Sequence, residues 1–420
     1  MIINVKKREK LIEQLANSGI CAICKGTKML CGKSECPLLV RYYSLLKNKK
    51  KMGREIDGSS PPGVFVGRYG YPKVNVGPLI PPEKGDTEYM DIPEFWIDMN
   101  IKEFVDMRTS LVRGMKKVRV DMANEPDYFI LDLQELSMAN KHVDTEVIFE
   151  KIPHGRIVAG SEIQPYGPAA PLKKIIHDNV KVNPKLEKIY YDELKASESI
   201  LHLYKEGVRV SLIQKAFSMG TMGVNRKIVP TRWSITAVDD TISKHLVSKI
   251  KEFGLVDKSM VFMSNKMGNL FAVIFLPRMW SYELVEAWYP GTLWNPYGKR
   301  IFMVSSHEYF ESRKDYAEIG GCYYAARLAV GEKLIKMRRQ AEVIVLREAQ
   351  PSYLMPVGVW HVRENVRSAL RNQPESFDRE TDAINYALSH FHIPQKYWLE
   401  GSKLLNRFLH QRRLEDFEIY

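Results

Sequence analysis

Long hydrophobic runs and abundant cysteine are both missing from this sequence. No stretch approaches the roughly 20 consecutive apolar residues that a membrane helix needs. The first ten residues, MIINVKKREK, contain no apolar segment followed by a cleavage site. Five cysteines in 420 residues are too few for a disulfide framework. We therefore expect a cytoplasmic protein with no membrane partner.

Repeats and low-complexity segments are lacking as well. The sequence shows no internal repeat of fixed period, no coiled-coil heptads and no biased tract. Hydrophobic residues make up 45% of the chain and charged residues 27%, which is typical of a folded globular protein. This composition excludes a wholly disordered chain and a repeat array.

Negative charge is in the minority. Lys and Arg number 62 against 50 Asp and Glu, which gives a formal net charge of +12. Such a balance favours polyanionic partners through counterion release, although many basic proteins bind no nucleic acid. Nucleic acid is therefore the first partner to consider, and if that partner is DNA, the protein would associate with the nucleoid.

Hydrophobic periodicity predicts an α+β fold. Glycine and proline between residues 53 and 82 forbid a long helix there. Two apolar runs at 260–264 and 270–277, joined by NKMGN, predict a β-hairpin. Further strands are expected at 145–151 and 341–346. The predicted helices cover residues 5–16, 38–46, 132–140, 186–204, 318–337, 360–370, 378–390 and 395–409.

These elements suggest four segments. We predict a cysteine-containing module at 1–52, an α+β region at 53–230, a second α+β region at 231–409 that is helical towards its end, and a tail at 410–420. The expected fold class is thus α+β, with a mixed central domain, an N-terminal four-cysteine zinc module and a mainly helical C-terminal part.

Four cysteines are clustered near the N-terminus. Cys21, Cys24, Cys31 and Cys36 follow the pattern C-x2-C-x6-C-x4-C. Four thiolates at this spacing can close around one tetrahedral Zn²⁺, and they leave no open position for water, so the metal would be structural. The alternatives are buried or redox-active thiols and an iron–sulfur cluster. Cys322, the fifth cysteine, is predicted to be a small core residue.

The last ten residues, QRRLEDFEIY, contain a short spaced motif. Gln411, Leu414 and Phe417 stand at i, i+3 and i+6, with Tyr420 after them. This resembles the peptide that docks into the sliding clamp PCNA, in which the apolar groups of one helical turn fill a groove. That motif family prefers two adjacent aromatics, whereas Glu418 follows Phe417 here, so we expect reduced affinity. The alternative is an amphipathic tail packed on its own protein.

The stretch GVNRKIVPTRWSITAVDDTISKHL, at 223–246, predicts a basic loop, a strand and then a helix. Arg226, Lys227 and Arg232 are candidate phosphate contacts, and Trp233 is available to stack on an unpaired base. The alternative makes Trp233 a core residue of the strand. The segment is therefore a candidate DNA-binding site.

Two enzymatic alternatives remain open. Asp239 and Asp240 either cap the predicted helix or help to hold Mg²⁺ for phosphodiester cleavage. The glycines between 63 and 77 are either turn residues or a nucleotide-binding segment, although their spacing matches neither the P-loop nor the dinucleotide fingerprint. Other candidate ligands for a nuclease metal are Glu283, Glu286, His307, Glu308 and Asp315.

Taken together, the cysteine cluster, the segment GSSPPGVFVGRYGYPKVNVGPL at 58–79, the 223–246 stretch and the tail resemble the archaeal DNA repair family Nre over nearly the whole chain. The resemblance implies a repair protein with PCNA as partner, and it supplies no reaction. We expect a protein that PCNA recruits to damaged or branched DNA. The alternatives are a metal-dependent nuclease or nucleotide-dependent transferase, or a non-catalytic repair scaffold.

Overall fold

The computed structural model describes residues 23–24, 26–31, 33–49, 52–155, 164–290, 292, 295 and 299–410. Over these residues the chain forms twelve α-helices and two mixed six-stranded sheets, which confirms the α+β fold class. In the same part of the chain, no helix combines the length and the apolar character that crossing a membrane requires.

Two compact units make up the fold. The first comprises Met1–Ile242 and Leu354–Trp360, and the second comprises Ser243–Tyr353 and His361–Tyr420. The short return of the chain to the first unit at 354–360 was not indicated by any sequence pattern. The first stretch of the first unit ends at Ile242, whereas the predicted boundary stands between 230 and 231.

The helices are numbered here in chain order. In the first unit they are α1 (Pro37–Lys49), α2 (Ile101–Ser110), α3 (Tyr128–Ser137), α4 (Pro184–Tyr190), α5 (Ala196–Lys205) and α6 (Val210–Ser218). The long helix α7 (Thr231–Ile250) contains the boundary between the units. The remaining helices are α8 (Gly321–Met337), α9 (Trp360–Arg371), α10 (Glu380–Ser389), α11 (Gln395–Gly401) and α12 (Lys403–His410).

The sheet of the first unit has the strand order β1-β5-β6-β4-β3-β2. Its β4–β6 pair is parallel, and its other neighbouring strands are antiparallel. The strands are β1 (Glu55–Ser60), β2 (Val64–Val66), β3 (Lys73–Ile80), β4 (Val112–Arg119), β5 (Val143–Phe149) and β6 (Ala169–His177). Valines on β2, β3 and β4 pack against α3, because alternate residues of a strand point to the same face.

The sheet of the second unit has the order β10-β9-β11-β8-β7-β12, with β9 and β11 parallel. Its strands are β7 (Ser259–Lys266), β8 (Asn269–Leu276), β9 (Ser281–Trp288), β10 (Phe302–Glu308), β11 (Glu342–Ala349) and β12 (Glu375–Phe377). Strands β8, β9 and β11 are buried along their whole length, as expected for strands covered on both faces. The predicted β7–β8 hairpin is confirmed, and its turn residues Met267 and Gly268 both have positive φ.

The predicted strand after Pro230 is wrong, because this segment is the start of α7. The buried residues Ser234, Val238 and Ile242 recur every four positions, which is a helical period. The β-branched residues in SITAV suggested a strand, but tertiary packing overrides such a local preference. Asp239 therefore lies inside the helix and does not cap its start.

Two long predicted helices are interrupted. The helix expected at 186–204 is divided into α4 and α5, because the Glu198 carboxylate accepts the backbone amide of Lys195 at 2.9 Å and starts a new helix. The helix expected at 395–409 is broken at Ser402, where α12 begins. The helix predicted at 5–16 lies outside the described residues.

Candidate nucleic-acid interface

The turn between β2 and β3 presents two tyrosines to solvent. The backbone amide of Lys73 donates to the Gly70 carbonyl at 2.8 Å, and Gly70 adopts a φ of +85°. A Cβ at Gly70 would lie 2.8 Å from the Lys73 carbonyl oxygen, so the turn requires glycine. Tyr69 is 79% exposed and Tyr71 is 48% exposed. The sequence GRYGYPK therefore forms a tight turn with aromatic rings on its outside.

Hydrogen bonds hold the start of α7 next to this turn. The backbone amide of Val66 donates to Thr231 Oγ1 at 3.0 Å, and the amide of Ile228 donates to the Val120 carbonyl at 2.8 Å. These bonds join segments that are far apart in the sequence. They hold the first turn of α7 beside β2 and the end of β4.

Trp233 and Tyr71 form an aromatic pair as a result. Their ring centres are 5.2 Å apart, with 51° between the ring planes, and Trp233 remains 45% exposed. An exposed tryptophan is notable because its burial would remove a large apolar area from water. The other tryptophans in the described part of the chain are buried, namely Trp96, Trp280, Trp288, Trp360 and Trp398.

Basic side chains on β3 and β4 border this pair. Lys73 stands opposite Arg119 across the two strands, and Lys117 lies two residues before Arg119. All three side chains are exposed. The ammonium of Lys117 lies 4.0 Å from the point that a Cβ at Gly70 would occupy, so it reaches the tyrosine turn.

Further positive charge comes from the loop before α7 and from the start of the β2–β3 turn. Lys227 is exposed and lies near Asp121, whose pKa is lowered first by the hydrogen bond from Arg119 and also by the charge of Lys227. Arg68 lies over the Tyr69 ring at 5.3 Å. We call the whole set the aromatic–basic surface, and it consists of Arg68, Tyr69, Tyr71, Lys73, Lys117, Arg119, Lys227, Arg232 and Trp233.

Arg226 has a different role from the other predicted DNA contacts. Its guanidinium donates to the Tyr190 carbonyl and lies 4.2 Å from the centre of the Tyr190 ring. The side chain is half-buried and supports the loop before α7. Lys227, Arg232 and Trp233 are exposed, so three of the four predicted residues belong to the aromatic–basic surface.

Sequence reasoning did not assign Tyr69, Lys117 or Arg119 to this site. Two signals were available. The sequence MKKVR combines buried Val118 with exposed basic neighbours, and RYGY places two aromatics in a turn, where apolar rings are not needed for a core. Neither signal shows that these residues lie beside Trp233.

Three of the four predicted zinc ligands fall within the described residues, and Cys21 lies outside them. Burial opposes ionisation of Cys24, yet four amides of the loop 26–30 donate to its sulfur and bring its pKa below the ordinary value. Burial raises the pKa of Cys36, and the charges of Cys31 and Cys24 raise it further. Amide donors around Cys24 would stabilise a thiolate ligand, and a zinc ion held by the four cysteines stays a prediction.

The predicted clamp-binding tail cannot be placed in the same way. Gln411, Leu414, Phe417 and Tyr420 all lie outside the described residues. The described chain leads up to them through α12, whose Leu404 and Leu405 are fully buried in the second unit. The tail therefore follows an anchored helix.

Buried carboxylates of the second unit, considered above as metal ligands, are engaged by the protein itself. Glu286 accepts a hydrogen bond from Arg347 at 2.8 Å, and Glu308 accepts one from Arg327 at 2.7 Å. Glu283 accepts backbone amides at the start of α12. These groups act as ion-pair partners and a helix cap, and they give the nuclease alternative no support.

The other residues considered as ligands of a nuclease metal do not come together at one point either. Asp239 is buried and accepts a hydrogen bond from Gln214 at 2.8 Å within the first unit. In the second unit, the His307 ring packs against Tyr309, and the Asp315 carbonyl accepts from Arg313. The contacts of Asp239 and His307 are structural, and among the described residues no group of three potential metal donors contains a nuclease candidate.

The glycines between 63 and 77 are explained by close packing. A Cβ at Gly63 would lie 2.0 Å from the Asp91 carboxylate, and a Cβ at Gly77 would lie 1.9 Å from the Gly114 carbonyl. Both positions are therefore filled by the protein, and neither leaves its backbone open to a phosphate. The segment gives no support to a nucleotide cradle.

Among the described residues, one group of three potential metal donors occurs, and it lies in the first unit. Asp86, Glu88 and His142 each offer a ligand atom within 4.8 Å of the others. His142 Nδ1 lies 3.8 Å from Glu88 and 4.0 Å from Asp86. Exposed acidic groups of this kind are common without a metal, so the group alone defines no site.

The fold and this surface define an α+β protein with a basic, aromatic face. Residues 30–295 match the family model described as "Archaeal Nre, N-terminal", and residues 308–417 match "Archaeal Nre, C-terminal". The chain therefore belongs to the archaeal Nre family, as the sequence motifs predicted.

Named relatives agree with this assignment. The chain is 42% identical over 399 residues to "DNA repair protein NreB" of Archaeoglobus fulgidus, covering 94% of this chain and 99% of that protein. It is 41% identical over 370 residues to "DNA repair protein NreA" of the same organism, covering 87% and 92%. It is 33% identical over 345 residues to "DNA repair protein NreA" of Haloferax volcanii, covering 79% and 82%. No solved structure matches the chain.

Proposed function

We propose that this chain acts in DNA repair, that it binds DNA through the aromatic–basic surface, and that its C-terminal tail recruits it to the sliding clamp PCNA. The relatives named above are called DNA repair proteins, which supports the process. The observation that carries the DNA-binding part is the exposed Trp233–Tyr71 pair with basic side chains around it.

Each part of this surface matches one part of single-stranded DNA. Aromatic faces stack on unpaired bases irrespective of sequence, and lysine and arginine side chains contact the backbone phosphates. A duplex keeps its bases stacked on each other, so Trp233 and Tyr71 gain little from it. We therefore expect preference for DNA with unpaired bases, as at a lesion, a junction or a single-stranded gap.

Binding of a fluorescent single-stranded oligonucleotide tests the stacking role. Trp233→Ala should weaken binding about tenfold, because stacking on one aromatic contributes roughly 1–3 kcal/mol per base. The matched control is Tyr191→Ala, because Tyr191 is also exposed and also forms a pair, with Tyr190, at 5.2 Å. Equal affinity of both variants would remove Trp233 from the interface.

Salt dependence tests the basic side chains separately. Replacing Lys117 and Arg119 with glutamine should make the logarithm of affinity fall less steeply with the logarithm of salt concentration, by about one unit of slope for each lost phosphate contact. Lys102→Gln, an exposed control in the same unit, should leave the slope unchanged. An unchanged slope in the double variant would place the phosphate contacts elsewhere.

Clamp binding is tested on the tail. Truncation after His410 should abolish binding to purified PCNA, and Phe417→Ala should weaken it strongly, because the aromatic side chain fills the groove in this type of motif. Asp416→Ala serves as the adjacent control and should bind normally. If the truncated chain binds as well as the full chain, the tail is not the clamp-binding element.

A non-catalytic scaffold is the second candidate function. It would bind PCNA through the tail and show no salt-dependent DNA binding, so the two assays separate it from the primary proposal. A nuclease would instead cleave DNA in the presence of Mg²⁺, so the absence of Mg²⁺-dependent cleavage separates it from both.

A further inference from the structure

Arg113 is held between two aromatic rings in the first unit. Its guanidinium carbon lies 4.8 Å from the centre of the Phe65 ring and 4.1 Å from the centre of the Tyr166 ring. All three residues are half-buried. Contacts with two aromatic rings restrict the guanidinium and stabilise its charge.

The hydrogen bonding of this guanidinium is incomplete. Nη2 of Arg113 donates to the Gly167 carbonyl at 3.4 Å, which is a long bond. Nε is buried and has no hydrogen-bond partner among the residues that the structure describes. A buried donor without an acceptor costs free energy, so an acceptor supplied by a ligand would stabilise this side chain.

Arg108 lies near enough to Arg113 for its charge to act on the Arg113 guanidinium. Arg108 and Lys215 both bind the single carboxylate of Asp91, at 2.9 Å and 3.1 Å. Burial, with a smaller contribution from the charge of Arg108, lowers the pKa of Arg113 to about 10, although Tyr166 acts in the opposite direction. Arg41 also lies near Tyr166. Burial lowers the pKa of Arg41, and the charge of Tyr166 acts to raise it. Positive charge is therefore in excess around this part of the unit.

We propose that Arg113, with the positive charge of Arg108 nearby, binds the phosphate monoester of a nucleotide or of a DNA end. A guanidinium that is already restricted loses little conformational entropy on binding, and its fork of N–H donors matches two phosphate oxygens. A phosphate would accept from the buried Nε and balance the excess positive charge. This site is distinct from the stacking pair Trp233–Tyr71 and goes beyond the proposed function.

Two probes distinguish the sources of the phosphate. The full-length protein is titrated calorimetrically with dAMP, and separately with single-stranded oligonucleotides that carry either a 5′-phosphate or a 5′-hydroxyl. Binding of dAMP with no effect of the 5′-phosphate assigns the site to a free nucleotide. Tighter binding of the phosphorylated oligonucleotide assigns it to a DNA end. If wild-type protein binds no dAMP and does not distinguish the two oligonucleotides, the proposal is wrong.

Substitutions assign the effect to Arg113. Arg113→Met should weaken phosphate-dependent binding at least tenfold, and Arg113→Lys should give an intermediate loss because it keeps the charge but not the fork. Arg54→Met, at an exposed arginine of the same unit, should bind as the wild type does. Thermal unfolding of each variant is compared in parallel. If Arg113→Met is unstable, the Lys variant provides the comparison, and wild-type affinity in a folded Lys or Met variant would overturn the proposal.

The 5′-hydroxyl oligonucleotide keeps this test separate from that of the aromatic–basic surface. Its affinity should depend on Trp233 and be insensitive to Arg113→Met. Loss of all oligonucleotide binding on Arg113→Met, irrespective of the phosphate, would also contradict a phosphate-specific site.

Discussion

Leu404 donates its backbone amide to the carboxylate of Glu283 at 2.8 Å, and this bond ties α12 to the sheet of the second unit. The amide of Lys403 and the hydroxyl of Ser402 donate to the same carboxylate, at 2.8 Å and 2.6 Å. Glu283 is fully buried. A buried carboxylate thus caps the helix that precedes the predicted clamp-binding tail in the sequence, and negative charge at a helix N-terminus is favourable.

Glu283→Ala should lower the free energy of unfolding by about 3 kcal/mol, because it leaves several buried donors without an acceptor. Chemical denaturation measures this change. Glu311→Ala, at an exposed glutamate of the same unit, should have no measurable effect. A stable Glu283→Ala variant that had lost a cleavage activity would instead support the metal-ligand role considered from the sequence.

The sequence was informative where one local pattern decides the structure. The apolar run at 270–277 predicted β8, because a strand buried on both faces needs apolar residues at every position. The start of α7 was misassigned because its β-branched residues carry a strand preference, whereas its helical burial depends on partners elsewhere in the chain.

The candidate site could be predicted only in part for a related reason. Trp233 and its basic neighbours were identifiable from one stretch, but the surface also needs Tyr71 from the β2–β3 turn and Lys117 from β4. These residues meet through strand pairing and through the bond between Val66 and Thr231. Such long-range contacts depend on sheet register, which a single sequence does not display locally.

Arg347→Met should destabilise the second unit by about 3–5 kcal/mol, because it leaves the charge of Glu286 buried and unpaired. Arg347 lies 2.8 Å from Glu286, and both side chains are 4% exposed. Chemical denaturation again provides the measurement. The exposed Lys258–Asp378 pair has a similar separation of 2.8 Å, and Lys258→Met should cause no measurable loss.

A companion variant separates charge burial from packing at this pair. Adding Glu286→Leu to Arg347→Met removes the unpaired carboxylate, so part of the lost stability should return. Equal stability of the single and double variants would show that the arginine contributes through packing alone.

His361 should make the second unit acid-sensitive. Burial, together with the positive charge of Arg347, lowers the pKa of His361 from 6.5 to about 3. Between these values the unfolded chain binds a proton that the folded chain excludes, so stability decreases as pH falls below 6.5. The expected slope from this group is about 1.4 kcal/mol per pH unit.

Denaturation of wild-type and His361→Gln protein between pH 8 and pH 4 measures this contribution. The variant should be less stable at pH 8, because it loses the stacking of His361 on Tyr353 at 5.4 Å, but its stability should fall less steeply with acid. His390→Gln, at an exposed histidine, should keep the wild-type slope. Parallel curves for wild type and His361→Gln would contradict the lowered pKa.

Zinc should be required for the structure of the cysteine cluster. The purified chain is expected to carry about one zinc ion, and both chelation and Cys24→Ser should release it, because loss of one thiolate leaves the tetrahedral site incomplete. Metal analysis measures the content, and limited proteolysis of the N-terminal segment measures the loss of structure. Cys322→Ser should retain the metal, because Cys322 is the second residue of α8 in the second unit. Full metal content in Cys24→Ser, or unchanged protease resistance after chelation, would show that these cysteines do not form a structural zinc site.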